Sequence, residues 1–254
     1  MINKLKSVKI LLILVSAVVL YTSCSKETTA KLPTDNAALS GKIAVGLYQS
    51  MVGSANGFAT AAGKANGTST NGRLQISSYT CGQVVDRDVE STTNEGDTVK
   101  STFSIKGKMV INCTKDTISG YTSNTVTKNF GFNTTQNFDR TINENYTVKL
   151  LAKLNAKLGV DGSQVSVIKS SSKKTPTDAI DQTNTFTIKE FVIDTTGPID
   201  ITSGTADFIS EGTNDGRVFS FKGTITFLGD HKAEVAFDGK VVSVDLLTGK
   251  TTVK

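Results

Sequence analysis

From about Gly72 to its end, this chain of 254 residues sets apolar side chains at alternate positions, and that period of two constrains the fold more than any other feature. Alternation places one face of a strand in a core and the other in water. Phe219, Phe221, Ile225 and Phe227 alternate with Ser220, Lys222, Thr224 and Thr226. Gly229-Asp230 then turns the chain into Ala233, Val235 and Phe237, and Asp238-Gly239 is a two-residue hairpin signal leading to Val242, Val244 and Leu246. Earlier, Phe103, Ile105, Met109, Ile111 and Cys113 share one parity, and a turn at Asn94-Glu95-Gly96-Asp97 would pair them with the segment from Gln75 to Val89. The expectation is an all-β domain of about nine or ten strands, mainly an antiparallel meander, built as a sandwich or a partly open barrel.

Two stretches depart from this pattern. Leu39, Ile43, Leu47 and Met51 recur every four residues and predict one N-terminal amphipathic helix, with Thr34 or Asp35 as its cap. A Gly/Ala/Ser/Asn-rich stretch from Gly53 to Gly72 reads as a weak helical continuation followed by a loop. Between Val148 and Leu158 the even positions are apolar, yet Leu151, Leu154 and Leu158 also satisfy a helical face. The β context favours a strand there.

The amino terminus reads as an export signal. Lys4, Lys6 and Lys9 precede an apolar run of about twelve residues, Ile10 to Tyr21, where a membrane-spanning helix needs roughly twenty. Tyr21-Thr22-Ser23-Cys24 resembles the lipobox of bacterial lipoproteins, in which the cysteine sulfur is acylated and becomes the first mature residue. The family prefers leucine where Tyr21 stands, so ordinary signal-peptidase cleavage is the rival reading. Ser25 resembles the outer-membrane sorting context. Asp97-Thr98-Val99, Asp116-Thr117-Ile118 and Asp194-Thr195-Thr196 resemble the O-glycosylation acceptor of Bacteroidota, which would make Thr98, Thr117 and Thr195 modification sites. Together with the Gly223 to Gly249 ending, these features resemble a group of uncharacterised β-rich lipoproteins of Bacteroidota. The resemblance implies a β-rich fold and an outer-membrane address, facing either the periplasm or the surface, and it implies no activity. The expected organisation is a signal peptide over 1–23, a lipidated cysteine and tether over 24–36, a helix and loop over 37–71, and the β-domain over 72–254.

The net charge of +5 would suggest an anionic partner, but the lysines of residues 1–23 account for most of it. Without them 25 basic residues face 23 acidic ones, a net charge of +2. No basic stripe interleaved with aromatics remains, so nucleic acid is not expected as a partner. Outer-membrane lipid, through the acyl chains, is. Cys81 and Cys113 lie almost symmetrically about the turn near Gly96 and predict a disulfide in an exported chain.

Chemistry is sparse. The one histidine, His231, excludes a multi-histidine metal site. Gly249-Lys250-Thr251 ends like a phosphate loop but lacks its earlier glycine. Glu211, Asn214 and Asp215 supply hard oxygens without an EF-hand spacing, and a polar turn explains them without a metal. No catalytic residue and no cofactor is therefore expected. The function expected is non-enzymatic, structural or interaction-mediating. Alternatives are a module enclosing an apolar or lipid ligand in an open barrel, with the Leu39 to Met51 helix plugging one mouth, and a carboxylate-based hydrolase.

Overall fold

A computed structural model describes residues 36–65, 79–152, 156–175 and 178–254, with helix side chains described over 37–52. Helix α1 spans Asn36–Ala65. Eleven strands follow: β1 Val84–Glu95, β2 Val99–Thr114, β3 Thr117–Phe132, β4 Gln136–Leu150, β5 Lys157–Ser172, β6 Ala179–Asp194, β7 Asp200–Asn214, β8 Arg217–Gly229, β9 Lys232–Phe237, β10 Lys240–Asp245 and β11 Thr251–Val253. They form one antiparallel meander in sequence order, with β1 and β11 as its open edges. A partly open barrel is the better of the two expected forms. A sandwich would need two facing sheets, and here there is one.

The expected turns appear, but the first strand spans Val84–Glu95 rather than Gln75 to Val89, of which residues 75–78 lie outside the described residues. Glu95 pairs with Val99 across Gly96, and the ladder continues to Val84 opposite Val110. Asp238 and Gly239 both take positive φ (44° and 73°), as a two-residue hairpin turn of this hand requires. The strand expected over Val148 to Leu158 is instead two strand ends. β4 stops at Leu150, which pairs with Leu158 near the start of β5, so the apolar alternation runs across a hairpin turn. Residues 153–155 of that turn, and the cap candidates Thr34 and Asp35, lie outside the described residues. Eleven strands rather than nine or ten follow from resolving such turns.

One face of the sheet is inward. Laid flat, eleven strands would span about 50 Å, and a helix about 10 Å across could not cover them. Yet inward residues are buried from Met109 and Ile111 on β2 to Val242 and Val244 on β10, so the sheet curls about its core. Bulges contribute to the curl, in β5 between Val160 and Gly162 and in β6 between Lys189 and Val192. At one end the core is apolar. Ile43, Ala44, Leu47, Tyr48 and Met51 of α1 pack with Phe191, Phe208, Ile225, Phe227 and Val235. The rings of Phe191 and Phe227, and of Phe221 and Phe237, sit edge-on with centroids 4.9 Å apart. Leu39 of the expected helical stripe is only partly buried, and Tyr48 and Ala44 widen that stripe.

Midway along the strands the inward face turns polar. Ser123, Thr125, Glu144, Gln164, Ser166, Asn184 and Ser210 are all buried there. Thr125 Oγ1 donates to Glu144, and Gln182 donates to Asn184 and Ser210. The outward face carries cross-strand ion pairs, Lys106 with Asp88, Lys108 with Asp86 and Lys169 with Asp181. Such exposed pairs contribute about 0–1 kcal/mol each, but they favour this register over a slipped one. Charge on the outer face differs from the apolar band that a lipid-spanning barrel presents. Among the described residues no helix is long and apolar enough to cross a membrane.

Candidate functional site

Alternate hairpins bring the turns after β2, β4, β6, β8 and β10 to one end of the curled sheet, the end that holds the apolar core. There α1 meets the turns. Gly41 lies against Thr251 and Gly249 of the β10–β11 turn. Two helical turns further along, Tyr48 reaches two other turns. Its hydroxyl is 2.6 Å from His231 Nδ1 and donates to the Ile199 carbonyl at 3.2 Å. Asp200, at the start of β7, accepts the His231 backbone N–H through Oδ2 at 3.2 Å. Its other oxygen is buried and stands 3.2 Å from His231 Nδ1. His231 holds a left-handed backbone (φ 55°) at the β8–β9 turn, which aims its ring back toward the helix.

Which partner donates across the 2.6 Å contact depends on the His231 tautomer, because the Tyr48 hydroxyl has one proton to give. Burial, and then the charge of Asp200, push the Tyr48 hydroxyl well above its usual value, so it stays protonated and serves as a donor. With His231 Nδ1 unprotonated, that hydroxyl is its donor. With Nδ1 protonated, the ring turns its proton to Asp200 and Tyr48 keeps the Ile199 carbonyl. Either way the cluster ties α1 to two turns. It is a positioning network, and sequence reasoning reached only His231. Tyr48 and Asp200 join it from 183 and 31 residues away, and no local spacing announces either. Tyr48→Phe is expected to destabilise the domain by about 1–2 kcal/mol in urea unfolding, since it removes this donor and leaves its acceptors buried. An unchanged midpoint would show the contacts to be idle.

A second contact marks where the inward face changes character. Gln164 Oε1 accepts from Tyr146 Oη at 2.8 Å and from Ser50 Oγ of α1 at 3.0 Å. Tyr146 is raised well above the usual tyrosine range by burial and by Glu144, and Tyr121 is raised by burial against the opposing effect of Arg87. Unfolded tyrosine ionises near pH 10. A raised folded value means that the native state holds protons which the unfolded state releases, so this stability is full below about pH 10 and lost above it. Alkaline titration should therefore unfold the chain cooperatively above about pH 10, with tyrosinate absorbance rising in step with loss of β-structure. Ionisation of Tyr121 or Tyr146 in a still-folded chain would contradict this.

The remaining expected sites fall as follows. Cys24 lies outside the described residues. Cys81 and Cys113 form a disulfide with Cα atoms 5.6 Å apart. Gly82 N–H donates to the Ile111 carbonyl, and Ile111 N–H to that of Gln83, which carries the β1–β2 ladder up to the bridge. Thr98 and Thr117 are exposed at the turns flanking β2, and Thr98 Oγ1 donates to the Glu95 carbonyl. Thr195 is half-buried after β6, where its N–H donates to the Ala156 carbonyl. Glu211 is exposed on the outer face and accepts from Ser220, whereas Asn214 is buried on the inner face. Those two oxygens therefore point apart, and no metal-holding cluster of His, Cys, Asp and Glu occurs among the described residues. No protein-family model, curated protein or solved structure matches the chain.

Proposed function

We propose that this chain is a lipid-anchored cell-envelope protein whose folded part is a non-catalytic β-module with a structural or interaction role, held at the outer membrane through Cys24. The observation that carries the reading is the use made of α1. The chain's own helix occupies the apolar end of the curled sheet, and Tyr48, Asp200 and His231, the groups best placed for proton chemistry, secure it there. Phe208, Phe221 and Phe237 pack on one another beside it. An apolar ligand enclosed at this end would have to displace the helix. The Cys81–Cys113 bridge agrees with an oxidising compartment, where such bonds persist.

Fractionation tests the anchor. Wild type should sediment with outer membranes, and Cys24→Ala should move to the soluble fraction with its disulfide intact. Organic extraction of the purified wild type tests the enclosed-ligand reading. A stoichiometric lipid beyond the covalent acyl chains would overturn the filled-core account.

A further inference from the structure

We infer that the end of the sheet bearing the β4–β5, β8–β9 and β10–β11 turns lies against the lipid surface, with Leu151, Leu228 and Leu247 entering its headgroup layer. The inference rests on the anchor reading. Three observations carry it.

First, three leucines are exposed on this end. Leu151 opens the β4–β5 turn at 52%, Leu228 stands near the end of β8 at 52%, and Leu247 sits in the β10–β11 turn at 66%. Single exposed apolar residues are ordinary, and Val218 and Phe130 stand exposed at the opposite rim, but three leucines share this one. Second, the rim presents them from anchored turns. Asp245 accepts the N–H groups of both Leu247 and Thr248 at 3.0 and 2.8 Å, which holds the β10–β11 turn closed beneath the Leu247 side chain. Third, the chain leaves the domain at this end. Gly41, in the second turn of α1, lies on Gly249 and Thr251 of the same β10–β11 turn. The residues between Cys24 and Asn36 reach at most about 40 Å when extended, so an acyl group on Cys24 brings this rim to the membrane before the opposite one. Lys232 and Lys250 are exposed among these tips with Asp230 and Asp245 beside them, so the charge of the rim is mixed.

The test uses a single tryptophan in a chain that has none. Leu247→Trp reports from the proposed face. Phe130→Trp, near the end of β3 at the opposite rim and 46% exposed, is the control. With Cys81 and Cys113 bridged, Cys24 is the remaining thiol of three cysteines. Each full chain is coupled through it to maleimide-headgroup vesicles of phosphatidylethanolamine and phosphatidylglycerol. This fixes the anchored geometry whether or not cells acylate Cys24, so failure of the anchor reading, seen as the absence of acyl mass in cells, stays distinct from failure of the face. Nitroxide lipids should quench the indole fluorescence of Leu247→Trp at least about threefold more than that of Phe130→Trp. Serine at both Leu151 and Leu228, added to Leu247→Trp, should reduce its quenching by half or more, with an unchanged circular dichroism spectrum. Equal quenching in the two tryptophan variants, or stronger quenching in Phe130→Trp, overturns the proposal.

Discussion

Gly162→Ala is expected to leave the domain largely unfolded, or to lower its stability by about 4 kcal/mol or more, an effect far above the usual cost of a single methyl group. Gly162 follows the β5 bulge on the inward face, and its φ of 147° is one that side-chain-bearing residues rarely adopt. A Cβ there would stand 2.1 Å from the Asn145 carbonyl oxygen and 3.0 Å from the Tyr146 Cα, both on the neighbouring strand. Backbone in mid-sheet cannot step aside as the tip of a flexible side chain can. The strand pair must separate or the bulge must be lost, and the bulge also aims Asp161 to accept the Glu190 N–H at 2.8 Å. Gly46→Ala is the matched control. It lies within α1, a Cβ there meets nothing within 4 Å, and alanine favours helix over glycine. That substitution should raise stability by roughly 0.5–1 kcal/mol. Near-equal urea midpoints for the two variants would show that the close strand approach at Gly162 is dispensable.

Loss of the disulfide is the second large effect. Cys81 and Cys113 are 32 residues apart, and the loop-closure entropy for that separation corresponds to roughly 3–4 kcal/mol. The bond has a structural reason to matter at this place. β1 is an open edge of the sheet, with β2 as its one ladder partner, and the bridge clamps the end of that hairpin farthest from its turn. Cys81→Ser with Cys113→Ser should lower the urea midpoint and speed amide exchange first in β1. The core strands β5 to β8 should keep their protection until global unfolding. Uniform loss of protection, or none, would contradict this placement.

The parts of the fold legible in the sequence are those fixed by neighbours along the chain. Asp238-Gly239 sets its hairpin by backbone geometry, and the Gly96 turn sets the register that brings Cys81 opposite Cys113. Legibility falls where residues distant in sequence decide. Gln164, Ser166, Asn184 and Ser210 are inward yet polar, so their strands lose the apolar alternation that a reading by hydropathy needs. The reverse error arises at Val148 to Leu158, where alternation continues through a turn. The bulges that contribute to the curl are marked in the sequence by no more than isolated glycines such as Gly162, and which neighbouring backbone each lies against is set across the sheet. The Tyr48, Asp200 and His231 cluster draws on a helix and two turns, so no spacing along the chain brings its members together.

The most direct test of the account is the intact mass of the protein isolated from the cell envelope. A chain beginning at Cys24 is expected, heavier than its sequence by a diacylglyceryl group, with Cys81 and Cys113 resistant to thiol labelling until reduced. A chain bearing no lipid mass, with all three cysteines reactive, would contradict it.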